Sequence, residues 1–314
     1  MLRFTLKRLA GLLVTLFAAS FVIYSSVYLS PGSPESVLFG GRSPAPEVRA
    51  AVRRHLGLDQ PFLTRYARWL TDVLQGDLGI SMVSQQKVTS LLGHPLGVTS
   101  ALVAYAMVLI VVAGVGLGLL AALRPGPIDG LVSLAVSVAT AIPAFVASGV
   151  TVSVFAVALG WFPSYGLADG FWGWARSLTL PAVSLAVIAS GLLARITRAG
   201  AREQLASDHV QTAVARGLSR PRLIRSHVLR NTAGPVISVT GLQVAGLLAG
   251  AVVVEQAFGL GGLGQALLNA VQLKDFAVVQ AVCLLLVTGF VLINLVADLL
   301  VARLDPRARR AVTS

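Results

Sequence analysis

Apolar residues gather in long unbroken stretches along this chain, and polar residues fill the gaps between them. A helix needs about 20 apolar residues to cross the hydrocarbon core of a bilayer. Six stretches reach or approach that length: Leu9 to Leu29, Val98 to Leu123, Leu131 to Leu159, Leu178 to Ala194, Val236 to Val254 and Val278 to Val301. Inside lipid the backbone has to satisfy its own hydrogen bonds, so each stretch reads as a helix. The third is long and carries Pro143, which predicts a kink or a tilt. The fourth is short and has Pro181 near its start. The expected fold is an all-α membrane protein, a six-helix bundle with an extended loop after the first helix.

The polar gaps have patterns of their own. The loop after the first span opens with turn-forming Pro31-Gly32-Ser33-Pro34, and Pro46 predicts a short helix that Gly57 ends. A second helix is expected after Pro61, with Phe62, Tyr66, Trp69 and Val73 on one face. That stripe suits the membrane surface or a neighbouring subunit, and equally a cap on the chain's own bundle. Gly76-Asp77-Leu78-Gly79-Ile80-Ser81 closes the loop as a tight turn. Between spans three and four, Trp161, Phe162, Tyr165, Phe171, Trp172 and Trp174 crowd together. They read as an interfacial aromatic belt, with a peptide-stacking site as the alternative.

The segment from Arg195 to Asn231 is too polar to cross a membrane and too patterned to be a slack tether. Val210, Ala213, Val214 and Leu218 form a narrow apolar face on a short helix that Gly217 can end. Pro221 starts another, with Leu223, Ile224 and Val228 on one side, which Asn231, Gly234 and Pro235 close. Two short helices hinged at a glycine and rich in arginine suit docking to a partner. Snorkelling arginines on a phospholipid surface are the competing explanation.

Composition removes most other classes. The chain is 55% hydrophobic and only 12% charged, with a mean hydropathy of +0.80. Soluble domains carry about 25% charged residues, so a soluble enzyme, a disordered tail and a secreted disulfide scaffold are excluded. Cys283 has no partner for an internal disulfide or a zinc site. The formal charge of +12 divides unevenly: +11 falls on the segments joining one side of the six spans, termini included, and +1 on the other. That bias puts both termini in the cytoplasm and needs no nucleic acid to explain it. Arg3, Lys7 and Arg8 precede a first apolar run longer than a cleaved signal usually has, so that helix is read as retained.

Candidate chemistry is sparse. Gly259-x-Gly261-x-x-Gly264 matches a dinucleotide fingerprint in letters only, because it lacks the strand and the soluble βαβ unit that the motif requires. No P-loop sequence occurs, so the chain cannot be its own P-loop ATPase, and any energy source would be another chain or an ion gradient. His55, His94, His209 and His227 are scattered, which gives no metal site, and no catalytic set is legible. Gly114-x-x-x-Gly118 and Gly246-x-x-x-Gly250 are close-packing motifs, for internal contacts or for a neighbouring membrane subunit. Gln243, Asn294 and Asp298 are polar groups within or near spans, and are candidates for a translocation path.

Asp208-His209-Val210-Gln211-Thr212-Ala213-Val214-Ala215-Arg216-Gly217-Leu218, continuing to His227-Val228-Leu229-Arg230-Asn231 and Pro235, resembles the EAA loop of ABC-importer permeases. The likeness is greatest to the dipeptide, oligopeptide and nickel branch, and to its first permease subunit. Three further features are similar to that subunit: the arginine-rich start, Gly76-Asp77-Leu78-Gly79-Ile80-Ser81, and Phe258-Gly259-Leu260-Gly261-Gly262-Leu263-Gly264. Gln211 and Thr212 depart from the Glu and Ala of the motif, His209 stands for a Tyr, and Gly261 for a Pro.

The resemblance implies a type I importer permease of six helices, importing short peptides by alternating access. Residues 1–30 would be the N-terminus and first span, 31–95 an outer loop, and 96–314 a five-helix core containing the coupling loop 195–235. Asp208, Gln211, Thr212, Ala213, Ala215, Arg216 and Gly217 would couple the chain to an ATPase. The implied partners are a second homologous permease, one or two cytoplasmic P-loop ATPase subunits, an extracytoplasmic solute-binding protein and membrane lipid. Nickel or another small solute is the alternative cargo. A secondary transporter is the chief rival, weakened because Glu255 and Asp298 lie at span ends and not at mid-membrane. An intramembrane enzyme would need paired catalytic groups, which are not visible.

Overall fold

The computed structural model describes residues 2–29, 47 and 59–304, so the predicted Pro31–Pro34 turn, most of the Pro46–Gly57 helix and the basic tail lie outside the described residues. The described residues are mostly helical: α1 (Leu2–Leu29), α2 (Phe62–Leu74), α3 (Val88–Leu123), α4 (Pro127–Ala141), α5 (Ala144–Thr151), α6 (Gly170–Ala206), α7 (Asp208–Ala215), α8 (Arg220–Leu223), α9 (Arg230–Phe258), α10 (Leu263–Gln272) and α11 (Phe276–Leu304). Wide π-type turns extend α5 through Val152–Ala158 and carry α8 into α9 through Ile224–Leu229. Among the described residues, five helical segments are long and apolar enough to span a membrane, and the bent α4–α5 pair makes a sixth when it is taken as one span.

The apolar stretches mark the spans, but the helices outrun them. α3 starts at Val88, ten residues before the apolar run, and continues through Pro95. α6 runs 37 residues through Pro181, so the short fourth stretch is the middle of a long helix, and the inner loop begins as its extension. Asn231, Gly234 and Pro235 do not close the loop, because α9 runs through Pro235 without a break. A proline removes one backbone hydrogen bond and bends a helix, but packed neighbours can hold the helix together across it. At Pro143 the outcome is larger than a kink: α4 and α5 meet at 105°. Ile142 takes the extended conformation that a residue before proline prefers.

α3, α6 and α9 enclose the core, with Leu102, Ile110, Leu193, Val254 and Phe258 almost fully buried in it. Close approach of α3 and α6 is set by two glycines: a Cβ at Gly118 would lie 2.5 Å from the Ala194 carbonyl oxygen, and one at Gly114 would lie 2.8 Å from the Leu193 Cβ. Gly114-x-x-x-Gly118 is therefore an internal packing motif. Gly246-x-x-x-Gly250 is divided, since Gly250 faces Leu185 of α6 while Gly246 looks into open space.

α1 lies at the edge, along α11, where Arg8 pairs with Asp298 at 3.2 Å. α2 folds back onto α1. Tyr66 is buried among Phe17, Phe21 and Tyr24, and its hydroxyl meets Ser20 Oγ at 2.8 Å. The aromatic stripe is thus a cap on the chain's own first helix. The bundle has two ends, one carrying the start of α1 and the end of α11, here the terminal face, and an opposite far face. Trp161, Tyr165, Phe171 and Trp172 are exposed in and around the α5–α6 connection at the far face.

Candidate functional site

The terminal face carries the patterned loop. α6 projects beyond the apolar core, and its Arg198 and Arg202 reach the first turn of α4, where Asp129 accepts from both at 2.5 to 2.7 Å. A carboxylate in the first turn of a helix is also favoured by the helix dipole. The clamp ties the projecting part of α6 to the start of α4. Asp129→Ala is expected to speed hydrogen exchange in the first turns of α4 by about fivefold, as for a bidentate pair that solvent partly screens. Unchanged exchange there would strip the pair of any structural role.

At Ser207 the chain turns and α7 begins. Ser207 Oγ donates to the Gln204 carbonyl oxygen at 2.5 Å, and Asp208 occupies the first turn. Val210 and Ala213 point inward onto Leu223 of α8, with Leu218 packed beside them. Val214 does not join that face and is 56% exposed. Helical spacing predicts it there, but Leu223 sits on the Val210–Ala213 side. The apolar contact is a small staple holding two short helices together.

The end of α7 depends on Gly217. Its φ of +76° lies in the left-handed region that favours glycine. From that conformation Leu218 N–H donates to the Ala213 carbonyl at 3.2 Å and Gly217 N–H to the Val214 carbonyl at 2.9 Å. This is the paired bonding of a Schellman stop, with Leu218 and Ala213 in its accompanying apolar contact. His209 ties α7 to its surroundings: its Nε2 is 3.3 Å from Asn231 Nδ2 at the start of α9, and Asn231 donates to Gln204 Oε1 at 3.2 Å.

Of the seven sequence-predicted coupling residues, Asp208, Gln211, Thr212, Ala215, Arg216 and Gly217 form one exposed surface on and after α7. Ala213 is buried behind it and supports that surface. The three path candidates are not brought together. Gln243 donates to the Ala189 carbonyl of α6 at 2.9 Å, and Asn294 to the Phe290 carbonyl of its own helix at 2.9 Å. Asp298 faces Arg8 in a crevice between α1 and α11. Glu255, read from the sequence as a carboxylate at a span end, is completely buried and bonded to a distant helix, which no local pattern signals.

The family described as "Binding-protein-dependent transport system inner membrane component" matches residues 114–310, and its N-terminal companion, "Binding-prot-dependent transport system membrane comp, N-term", matches residues 1–103. The chain belongs to this family. It is a multi-pass inner-membrane permease of ABC-importer type. The permease is 37% identical over 310 residues to the glutathione transport system permease protein GsiC of Escherichia coli O6:H1, covering 98% of this chain and 99% of that one. GsiC of Escherichia coli strain K12 is 36% identical over the same length. Among solved structures, the inward-facing MetNI methionine ABC transporter aligns with a TM-score of 0.57 at 22% identity, over 69% of this permease and 97% of that chain. An amino acid ABC transporter crystallised with histidines gives 0.51 at 18% identity, over 68% and 94%. These structural likenesses establish the shared permease fold.

Proposed function

We propose that this permease forms half of a translocation path for short peptides, driven by ATP hydrolysed on another chain. The observation that carries the reading is the end-to-end 37% identity to a glutathione permease, glutathione being itself a small peptide. The other half of the path is a second homologous permease. One or two cytoplasmic P-loop ATPase subunits bind ATP and magnesium, and an extracytoplasmic solute-binding protein delivers the cargo. Both termini and the α7 loop lie in the cytoplasm, as the +11 against +1 division of charge favours.

In this reading α7 is the coupling helix. Asp208, Gln211, Thr212, Ala215, Arg216 and Gly217 meet the ATPase surface, and Ala213 fixes α7 from behind. ATP in the partner and a loaded binding protein outside bind the two states of the bundle differently, and that difference moves the equilibrium. Rocking of the bundle then alternates access. Gln243, Asn294 and Asp298 are path candidates at different depths.

The test is a mild-detergent pull-down of the tagged chain from its native membrane, followed by reconstitution of what is recovered. A second permease and a P-loop ATPase are expected, with ATP-dependent uptake of one or more members of a panel of glutathione and di- to pentapeptides. Recovery of the chain alone, still carrying solute along an ion gradient, would make it a secondary transporter. Assembly with ATPases but uptake of nickel or a non-peptide solute would remove the peptide assignment.

A further inference from the structure

The glycine turn that mimics a nucleotide fingerprint holds a carboxylate of its own chain. Glu255, in the last turn of α9, is 0% accessible. Thr99 Oγ1 of α3 donates to its Oε1 at 2.6 Å. The N–H groups of Gly264 and Gln265 donate to its Oε2 at 2.8 and 3.3 Å, and Leu263 N–H donates to Thr99 Oγ1 at 2.8 Å. These three N–H groups are the first of α10 and have no partner within their own helix. The positive end of the α10 dipole meets the carboxylate. A Cβ at Gly262 would overlap the Glu255 carboxyl group, so that glycine admits the acid, and one at Gly264 would overlap the Val252 backbone, so that glycine lets α10 approach α9 closely.

The other end of α10 is fastened in a similar way. Asp275, 4% accessible, lies between α10 and α11 and accepts from Ser81 Oγ and, at 3.3 Å, from Met82 N–H. Ser81 belongs to the glycine turn that leads into α3. The two far-face motifs, distant in sequence, are therefore joined through α10 by two buried carboxylates. The α5–α6 connection is pinned to the same place, where Gly166 N–H donates to the Phe258 carbonyl at 2.8 Å. At its opposite end α9 starts beside α7, through Asn231 and His209.

We propose that Glu255 is a positioning residue for transport: it fastens the N-terminus of α10 to α3, so that α3, α9 and α10 move as one body when α9 is displaced from the α7 end. The inference rests on the permease reading given above. Without the acid, the Gly264 and Gln265 N–H groups and the Thr99 hydroxyl lose their acceptor in a buried site, and the Leu263–Thr99 hydrogen bond is left as the polar tie between α10 and α3 there. The far-face mouth would then lag behind movement at the coupling end.

The experiment uses the complete transporter in proteoliposomes, with the panel peptide that gives the highest wild-type uptake. Two quantities are read: peptide imported per ATP hydrolysed, and hydrogen exchange across residues 260–272 in the purified assembly. Glu255→Ala is expected to speed that exchange and to lower import per ATP by about tenfold, within the range reached by mutations in coupled networks, while hydrolysis continues. Glu255→Gln is expected to restore both, because its oxygen can accept from Gly264 and Gln265 while its amide donates to Thr99. A wild-type ratio in Glu255→Ala overturns the proposal. So does a parallel loss of import and hydrolysis that leaves the ratio unchanged, which marks a residue that only supports folding. Where Glu255→Ala does not assemble, Thr99→Val replaces it: a several-fold fall in the ratio supports the fastening, and an unchanged ratio overturns it. A wild-type assembly that imports no peptide with ATP counts against the permease reading, and the exchange measurement separates that failure from failure of the fastening.

Discussion

Gly217→Trp is expected to leave the chain inserted and assembled while ATP-driven uptake falls by about tenfold or more, a coupling loss in the usual range for linked sites. Two features make the position sensitive. The backbone at Gly217 is left-handed, with φ +76°, which costs other L-residues roughly 1–2 kcal/mol. The same residue lies in the exposed surface proposed to meet the ATPase, with nothing within 4 Å of an added Cβ. An indole there does not disturb the chain's own packing, yet it obstructs a partner. Gly217→Asn separates the two effects, since asparagine tolerates the left-handed region and is small. It is expected to retain most uptake. Arg216→Glu, which reverses a charge on the same surface, is expected to behave like the tryptophan variant. The measurements are uptake and ATPase rate in the reconstituted transporter, after insertion and assembly have been verified. Normal uptake by both Gly217→Trp and Arg216→Glu would remove α7 from the coupling role.

The second large effect is on stability. Gly118→Leu is expected to lower the apparent Tm by about 2–5 °C, because overpacking a close contact costs typically 1–3 kcal/mol. At this site the obstacle is the Ala194 carbonyl oxygen, 2.5 Å from an added Cβ, and the backbone of a long packed helix cannot step aside as a side chain can. Gly116→Leu is the control, two residues away on the same helix and open to its surroundings. It is expected to melt like the wild type. Equal melting of the two variants would mean that α3 and α6 do not depend on this approach.

Much of the terminal-face site is legible in the sequence because it is built from local rules. Gly217 had to end a helix, Pro221 had to begin one, and Val210 and Ala213 had to share a face. Those outcomes depend on backbone conformation within a few residues. Val214 was misplaced because helical spacing marks a face broader than the contact, and which part of it Leu223 returns to cover is a tertiary matter. Pro235 does not close the loop as its local pattern predicts, whereas Pro143 bends its span as expected. Pro95, Pro181 and Pro235 all lie inside helices, because packed neighbours hold a helix across a missing hydrogen bond. Pro143, with an extended residue before it, breaks its span at 105°.

What the sequence determined by itself was the class of molecule and its local punctuation. Apolar length, low charge and the lopsided distribution of arginine depend on solvent preference, which acts residue by residue. The motif set around Gly217, Gly79 and Gly259 was enough to point to the family. Only the tertiary structure decided what those motifs touch. Glu255 and Thr99 are 156 positions apart, and Ser81 and Asp275 are 194 apart. A buried carboxylate must find donors wherever the packing of helices brings them, and no periodicity along the chain records where that is.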